Sequence, residues 1–101
     1  MKNKIFNIYV NNVCNLFGIK HKAIFKKTKT RDIVDARHLL YYVCSIRPMR
    51  IVHIQEYMAN KGYNVAHSSI HHGIGQMKEK LKVDIDYIEA VAEVTKEYNE
   101  V

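Results

Sequence analysis

The sequence predicts an all-α fold, a compact domain of five or six helices that contains a helix-turn-helix. All of the hydrophobic periodicity in the chain is helical, with apolar residues recurring at intervals of three and four. A length of 101 residues suits one domain, and 48% hydrophobic residues with a single proline suffice for one core. The chain also contains no internal repeat, low-complexity tract or linker.

The first helix is predicted over Ile5 to Phe17. It stops at Gly18, a residue suited to the left-handed turn that follows a helix. Its apolar positions at helical spacing are Phe6, Tyr9, Val10, Val13 and Phe17. A short segment from Lys20 to Phe25 follows, in which Ala23 and Ile24 are the expected buried pair.

The second helix is predicted to begin after Thr30, an N-cap residue, with Asp32 in the first turn, where the helix dipole favours negative charge. It ends near Arg47, because the residue before Pro48 is disfavoured in the α region. Its apolar stripe makes it the expected central and most buried helix. The stripe comprises Ile33, Ala36, Leu40, Val43 and Cys44. Arg37 lies one turn inside, where it can share a phosphate with the preceding loop or pair with an acidic side chain on the helix surface.

A short helix from Ile51 to Asn60, a turn with Gly62 and a longer helix opening within Val65 to His72 form a predicted helix-turn-helix. Gly62 is expected to end the first of these helices and Asn64 to cap the second. The second buries a stripe of Ile70, Ile74, Met77 and Leu81. Its other face carries small or planar polar positions: Ser68, Ser69, His71, His72, Gly75 and Gln76. Hydroxyl, imidazole and amide groups bond to base edges, so this face suits a recognition helix.

Asp84 is predicted to cap a final helix that packs on the same domain. The residues that repeat along one face of this helix are Ile85, Ile88, Val91, Ala92 and Thr95. The expected organisation is therefore a DNA-binding domain over residues 1–83 and an acidic C-terminal helix over residues 84–101.

Charge separates these two parts. Residues 1–83 carry 15 basic and 4 acidic side chains, a net charge of +11, whereas residues 84–101 carry 1 basic and 6 acidic, a net charge of −5. Much of the positive charge falls in the basic loop, residues 26–31, which reads Lys26-Lys27-Thr28-Lys29-Thr30-Arg31. A body this basic attracts a polyanion, although a charge run is also compatible with an ordinary solvated face.

Several other classes of protein are disfavoured. The longest apolar run, Leu39 to Cys44, is far shorter than the roughly 18 residues of a membrane span, and no signal-peptide core follows the N-terminal Met1-Lys2-Asn3-Lys4. We therefore expect a cytoplasmic protein without a membrane partner. Cys14 and Cys44 lie in apolar helical patterns without CxxC spacing, which predicts buried thiols.

We predict no catalytic residue, metal site or cofactor. His67 and His71 have a spacing that can clamp a metal, with His72 and His38 as further candidates, but no motif fixes a third ligand. Neither cysteine has a histidine at a recognisable catalytic spacing. RNA binding is a further alternative, but the sequence lacks the exposed aromatic pair on a strand that single-strand binders use.

Three motifs, in the same order, resemble the C-terminal DNA-binding domain of the bacterial replication initiator DnaA. The first is Val13-Cys14-Asn15-Leu16-Phe17-Gly18-Ile19, which is similar to the end of the family's first helix. The second, Thr30-Arg31-Asp32-Ile33-Val34-Asp35-Ala36-Arg37-His38, resembles its basic loop and following helix. The third, Val65-Ala66-His67-Ser68-Ser69-Ile70-His71-His72-Gly73, resembles its recognition signature. The likeness spans about residues 6–82.

The resemblance implies binding of double-stranded DNA through two grooves. Arg31 matches the family's minor-groove arginine, with Lys29 as the alternate, and Lys26 and Lys27 complete the basic loop on phosphates. Arg37 matches a helix arginine that contacts phosphate. The residues that the resemblance implies in the major groove are His67, Ser68 and Ser69, and we expect His72 of the same helix to face that groove as well. One departure is that Val65-Ala66 replaces the family's Arg-Asp pair, which removes a carboxylate able to accept from cytosine.

The expected function is sequence-selective binding of double-stranded DNA in replication initiation or its regulation. The 101 residues contain no phosphate-binding loop or ATPase module, so we expect a stand-alone protein of the kind that a phage or mobile element encodes. The alternatives are a small helix-turn-helix transcriptional regulator and a protein-interaction module. In the latter, residues 84–101 contact a replication protein or a second copy of the chain.

Overall fold

A computed structural model describes residues 2–96, and within that range all of the regular secondary structure is helical. It contains five α-helices and one short 3₁₀ helix, which confirms the predicted all-α class. The α-helices are α1 (Lys2–Phe17), α2 (Arg31–Ile46), α3 (Ile51–Asn60), α4 (His67–Val83) and α5 (Ile85–Val94), and the 3₁₀ helix is His21–Phe25. None of these helices is long and apolar enough to cross a membrane.

The helix α2 lies at the centre, as its sequence predicts. Its predicted stripe is buried, from Ile33 at 8% exposure to Leu40, Val43 and Cys44 at 0%. The buried stripe of α4, formed by Ile70, Ile74 and Met77, joins the same core.

The two helices approach closely at Gly73 of α4. A Cβ atom built on Gly73 would lie 2.8 Å from Cδ2 of His38 and 3.0 Å from Cδ2 of Tyr41, both on α2. Real Cβ atoms essentially never approach another atom as closely as 2.8 Å, so a side chain at position 73 would force His38 or the backbone of α4 to shift.

Glycine ends two of the helices, as predicted. Gly18 and Gly62 have φ values of 65° and 92°. After Gly62, the amide of Tyr63 donates to the carbonyl of Met58 at 3.0 Å, and the amide of Gly62 donates to Ala59 at 2.9 Å. These paired bonds form a Schellman motif, which satisfies carbonyls that the end of α3 would otherwise leave without partners.

The helix N-termini depart from the predictions at three places. α1 begins at Lys2 rather than Ile5. α4 begins at His67, with Ala66 rather than Asn64 at the N-cap and no side-chain cap. Thr30 occupies the N-cap of α2, but its hydroxyl pairs with Thr28 Oγ1 at 2.9 Å instead of capping. The predicted cap of α5 is confirmed, because Asp84 accepts a hydrogen bond from the Asp86 amide.

The face that α5 buries differs from the predicted one. Its core residues are Ala90 and Val94, with 9% and 0% exposure, whereas Ile85 and Ile88 are 68% and 53% exposed. The register is fixed by contacts with other helices. Asn12 of α1 donates from Nδ2 to the Val94 carbonyl at 2.9 Å, which ties the end of α5 to α1.

The two cysteines are buried and free, as predicted. Burial raises the pKa of both thiols, because the thiolate loses its hydration in the apolar interior.

Candidate nucleic-acid interface

The basic loop and the first turns of α4 line one groove, which we call the α2–α4 groove and whose volume is about 990 Å³. Its walls are the basic loop, the α3–α4 turn and the start of α4, and α2 forms its floor. The lining residues are Lys27, Thr28, Lys29, Val34, Arg37, His38, Tyr41, Tyr63, Asn64, Val65, Ala66, Ser68, Ser69 and His72. Two segments that lie about forty residues apart in sequence therefore form one surface.

The cationic side chains of the basic loop point away from the core. Lys26, Lys27, Lys29 and Arg31 are all exposed. Lys27 and Lys29 line the α2–α4 groove itself, whereas Lys26 and Arg31 lie outside its lining. Arg31 is the first residue of α2, and its Nε lies 3.8 Å from Asp35 Oδ2 with the arginine side chain 87% exposed. An ion pair this open and long holds its arginine weakly.

The first turns of α4 present the predicted polar face. His67, Ser68, Ser69 and His72 are exposed, and three of them line the groove, whereas His67 does not. The ring of His67 stacks on that of His71, with centroids 5.8 Å apart. The N-cap residue Ala66 provides no side-chain cap, and its carbonyl accepts from the amides of Ser69 and Ile70 at 3.0 and 3.3 Å.

Arg37 is buried and bonded to the chain itself, an environment that the sequence does not predict. Its side chain is buried, with 5% exposure, and it donates to three backbone carbonyls in and before the basic loop. Nε donates to Ile24 at 2.8 Å, Nη1 donates to Thr28 at 3.1 Å, and Nη2 donates to Lys26. Three of its five N–H groups are bonded to these carbonyls and only 5% of the residue is exposed, so the guanidinium presents little surface to a phosphate, and the phosphate contact stays a prediction.

Tyr63, in the turn between α3 and α4, contacts the Arg37 guanidinium. The guanidinium carbon of Arg37 lies 4.4 Å from the centre of the Tyr63 ring, which is a cation–π contact. The turn is also held from α3, since Gln55 Nε2 donates to the Val65 carbonyl at 2.9 Å. The sequence offers only one signal for Tyr63, an aromatic residue in a turn rather than on an apolar stripe.

His38 is a groove residue that the sequence analysis considered only as a metal ligand. It lies on α2 beside His72 of α4, with ring centroids 6.0 Å apart in an edge-to-face arrangement. Burial lowers the pKa of His38 below its usual 6.5, and the nearby charges of His72, Lys80 and Arg37 lower it further, against an opposing effect of Asp35. This imidazole is therefore held neutral at the floor of the groove.

Four acidic side chains at and after the start of α5 lie in a separate groove between α1 and α5, which we call the acidic groove. Its lining includes Asp84, Asp86, Glu89 and Glu93, together with Asn12, Asn15 and Leu16 of α1. It shares no lining residue with the α2–α4 groove. Residues 97–101, which carry the rest of the predicted acidic segment, lie outside the described part of the chain.

Within residues 2–96, no group of three or more histidine, cysteine, aspartate or glutamate side chains is arranged to hold a metal ion. No protein-family model matches this sequence, and no curated protein or solved structure matches it significantly. A functional assignment therefore depends on the residues and geometry of the α2–α4 groove.

Proposed function

We propose that this chain binds double-stranded DNA sequence-selectively, with α3, the turn after it and α4 acting as a helix-turn-helix. The observation that carries the proposal is the shared groove, in which lysines of the basic loop face the serine and histidine side chains of α4. One surface thus combines groups that bind any phosphate with groups that discriminate between bases.

The dimensions of α4 suit this role. It has 17 residues, which corresponds to a cylinder about 25 Å long, and an exposed helix of this kind fits the major groove, which is about 12 Å wide. Ser68 and Ser69 hydroxyls both donate and accept, and the His72 ring offers a nitrogen and an apolar edge for a thymine methyl group. In this arrangement the first turn of α4 faces base edges.

The basic loop supplies the sequence-independent part of the affinity. Lys26, Lys27 and Lys29 neutralise phosphates, and Arg31 extends from the start of α2 into the adjacent minor groove. The separation of the acidic groove from the α2–α4 groove supports binding of DNA at the α2–α4 groove. The carboxylates of Asp84, Asp86, Glu89 and Glu93 line the other groove, so they do not repel a duplex held at the α2–α4 groove.

The role in the cell that we propose is replication initiation or its regulation, in keeping with the resemblance to the initiator's DNA-binding domain. A transcriptional regulator would use the same groove in the same way. The two are distinguished by the site that the protein selects, since an initiator-type protein selects repeated boxes at an origin and a regulator selects a promoter.

The test is selection of binding sites from random duplexes at a stated salt concentration, followed by affinity measurements on selected and random duplexes. Ser68→Ala should weaken binding to the selected site by about 1 to 3 kcal/mol and change random-duplex binding little. Lys27→Ala should weaken both equally and reduce the salt slope by about 1.

Lys96→Ala is the matched control for lysine removal, because Lys96 pairs with Glu93 on the side of the acidic groove. It should leave binding unchanged or weaken it only slightly, since one distant positive charge is removed. Failure to enrich any duplex sequence, or tighter binding to single-stranded RNA than to duplex DNA, would refute the proposal.

A second candidate function is protein interaction through residues 84–101, which the exposure of Ile85 and Ile88 on α5 favours. Neither side chain is needed for the core, so both are open to a replication protein or a second copy. Sedimentation velocity tests the second copy directly: self-association that Ile85→Ser with Ile88→Ser abolishes supports it, and a monomer at all concentrations contradicts it.

A further inference from the structure

We infer that Arg37 and Tyr63 together act as a positioning brace that fixes the basic loop relative to the start of α4 before DNA binds. We call this pair the Arg37–Tyr63 brace. The inference rests on the proposed function, because it assigns the two residues a role in DNA affinity without any contact with DNA.

The basic loop has little structure of its own. Between the 3₁₀ helix and α2 its internal hydrogen bonds are the Lys26 amide to Ala23 and the pairing of Thr28 with Thr30. The end of the loop joins the first turn of α2, where the Val34 amide donates to the Thr30 carbonyl at 3.0 Å. The earlier part of the loop is bonded to α2 through Arg37, which reaches the carbonyls of Lys26 and Thr28 as well as that of Ile24. Without them, no described hydrogen bond would hold the middle of the loop against α2.

Only arginine can supply this set of contacts. A guanidinium directs its N–H donors outward in one plane from three nitrogens, and here each nitrogen bonds to a different carbonyl. A lysine carries its three donors on one atom, so it cannot reach carbonyls of residues 24, 26 and 28 from a single position. Position 37 therefore requires the shape of an arginine side chain and not only its positive charge.

The face of the same guanidinium connects the loop to α4. Tyr63 lies against that face at 4.4 Å, and it is the residue directly after Gly62, where the chain turns from α3 towards α4. One side chain thus bonds to the loop with its edge and contacts the α3–α4 turn with its face. The two walls of the α2–α4 groove are held at a fixed separation through Arg37.

A positioning role and a phosphate contact predict opposite results for Arg37→Lys. This variant keeps the positive charge but loses the planar fork. If Arg37 only contacted phosphate, the variant would keep most of the affinity. For the brace, we expect affinity for selected and random duplexes to fall about tenfold or more, since charge-assisted bonds to two loop carbonyls are lost. The salt slope should stay at the wild-type value, whereas Lys27→Ala lowers it by about 1.

Tyr63 allows a matched pair of variants. Tyr63→Phe keeps the ring under the guanidinium and should bind as the wild type does. Tyr63→Leu removes the ring and should weaken binding to all duplexes, as Arg37→Lys does. Equal affinities for Tyr63→Leu and Tyr63→Phe would remove Tyr63 from the brace.

A measurement without DNA separates the brace from the proposed function. Trypsin cleaves after Lys26, Lys27 and Lys29 only when the loop opens, and mass spectrometry reports each site relative to cleavage after Lys78 in α4. The ratio corrects for any global loss of stability. It should rise at least severalfold in Arg37→Lys and Tyr63→Leu but remain at the wild-type value in Tyr63→Phe.

An unchanged ratio in Arg37→Lys would overturn the brace, whatever the DNA measurements show. If the loop opens in that variant but the wild-type chain enriches no duplex, the brace stands as a structural device and the proposed function fails.

Discussion

Gly73 provides a direct test of how α2 and α4 pack, through a comparison of Gly73→Ala with Gly75→Ala. Both glycines lie in the interior of α4, and each substitution adds one methyl group to the same helix. A Cβ at Gly73 would meet His38 at 2.8 Å and Tyr41 at 3.0 Å, whereas a Cβ at Gly75 would meet nothing within 4 Å. The pair therefore differs in packing and not in helix propensity.

The magnitudes follow from this difference. Glycine in a helix interior is about 1 kcal/mol less favourable than alanine, so Gly75→Ala should raise the free energy of unfolding by about that amount. Gly73→Ala gains the same propensity term but forces His38, Tyr41 or the backbone of α4 to move. Overpacking of this kind costs about 1 to 3 kcal/mol, so Gly73→Ala should be less stable than Gly75→Ala by that amount.

Urea denaturation of both variants and the wild type, followed by circular dichroism, measures these values. Stabilisation by both substitutions to the same extent would refute the close packing of α2 against α4. The same result would also argue against the position of His72 in the α2–α4 groove, because His72 directly precedes Gly73 and lines that groove.

Three further predictions concern the core, the pH dependence and the thiols. Val94→Ala should lower the free energy of unfolding by about 2 kcal/mol in urea denaturation, whereas Ile88→Ala should change it by less than about 0.5 kcal/mol, since only Val94 is buried. Because the pKa of His38 is lowered in the folded protein, the imidazole of the unfolded chain takes up a proton at a higher pH than the folded one does. The contribution of His38 to the free energy of unfolding should therefore fall as the pH drops below 6.5. Urea midpoints measured over this pH range should show a flatter profile for His38→Gln than for the wild type. Burial raises the pKa of the Cys14 and Cys44 thiols, so both should resist a thiol reagent at neutral pH in the native protein. Both should react in urea, and mass spectrometry of the adducts measures the difference.

The features that the sequence predicts correctly have local causes. Gly18 and Gly62 end helices because their own backbone conformation is left-handed, and α3 spans Ile51 to Asn60 as its pattern indicates. The buried stripes of α2 and α4 follow from spacing within one helix. The exposure of Ser68 and Ser69 follows in the same way, because they fall off the apolar stripe.

The features that the sequence does not predict depend on distant partners. Apolar residues occur on two sides of α5, and the contacts with Asn12 and the core bury Val94 and leave Ile88 exposed. Arg37 is a comparable case. No pattern within α2 shows that the Arg37 guanidinium bonds to carbonyls 9 to 13 positions earlier in the chain. Those bonds nevertheless determine how much of the guanidinium is open to a ligand.

The bond from Asn12 to the Val94 carbonyl connects α1 and α5 across 82 positions of the chain. Contacts between residues so far apart form slowly, because a large loop must close before they contribute. On the ribosome, α1 is made first and its α5-facing side stays uncovered while α2, α3 and α4 are being synthesised. Docking of α5 onto α1 should therefore be a late step in folding, and until it occurs the α5-facing side of α1 is open to other chains.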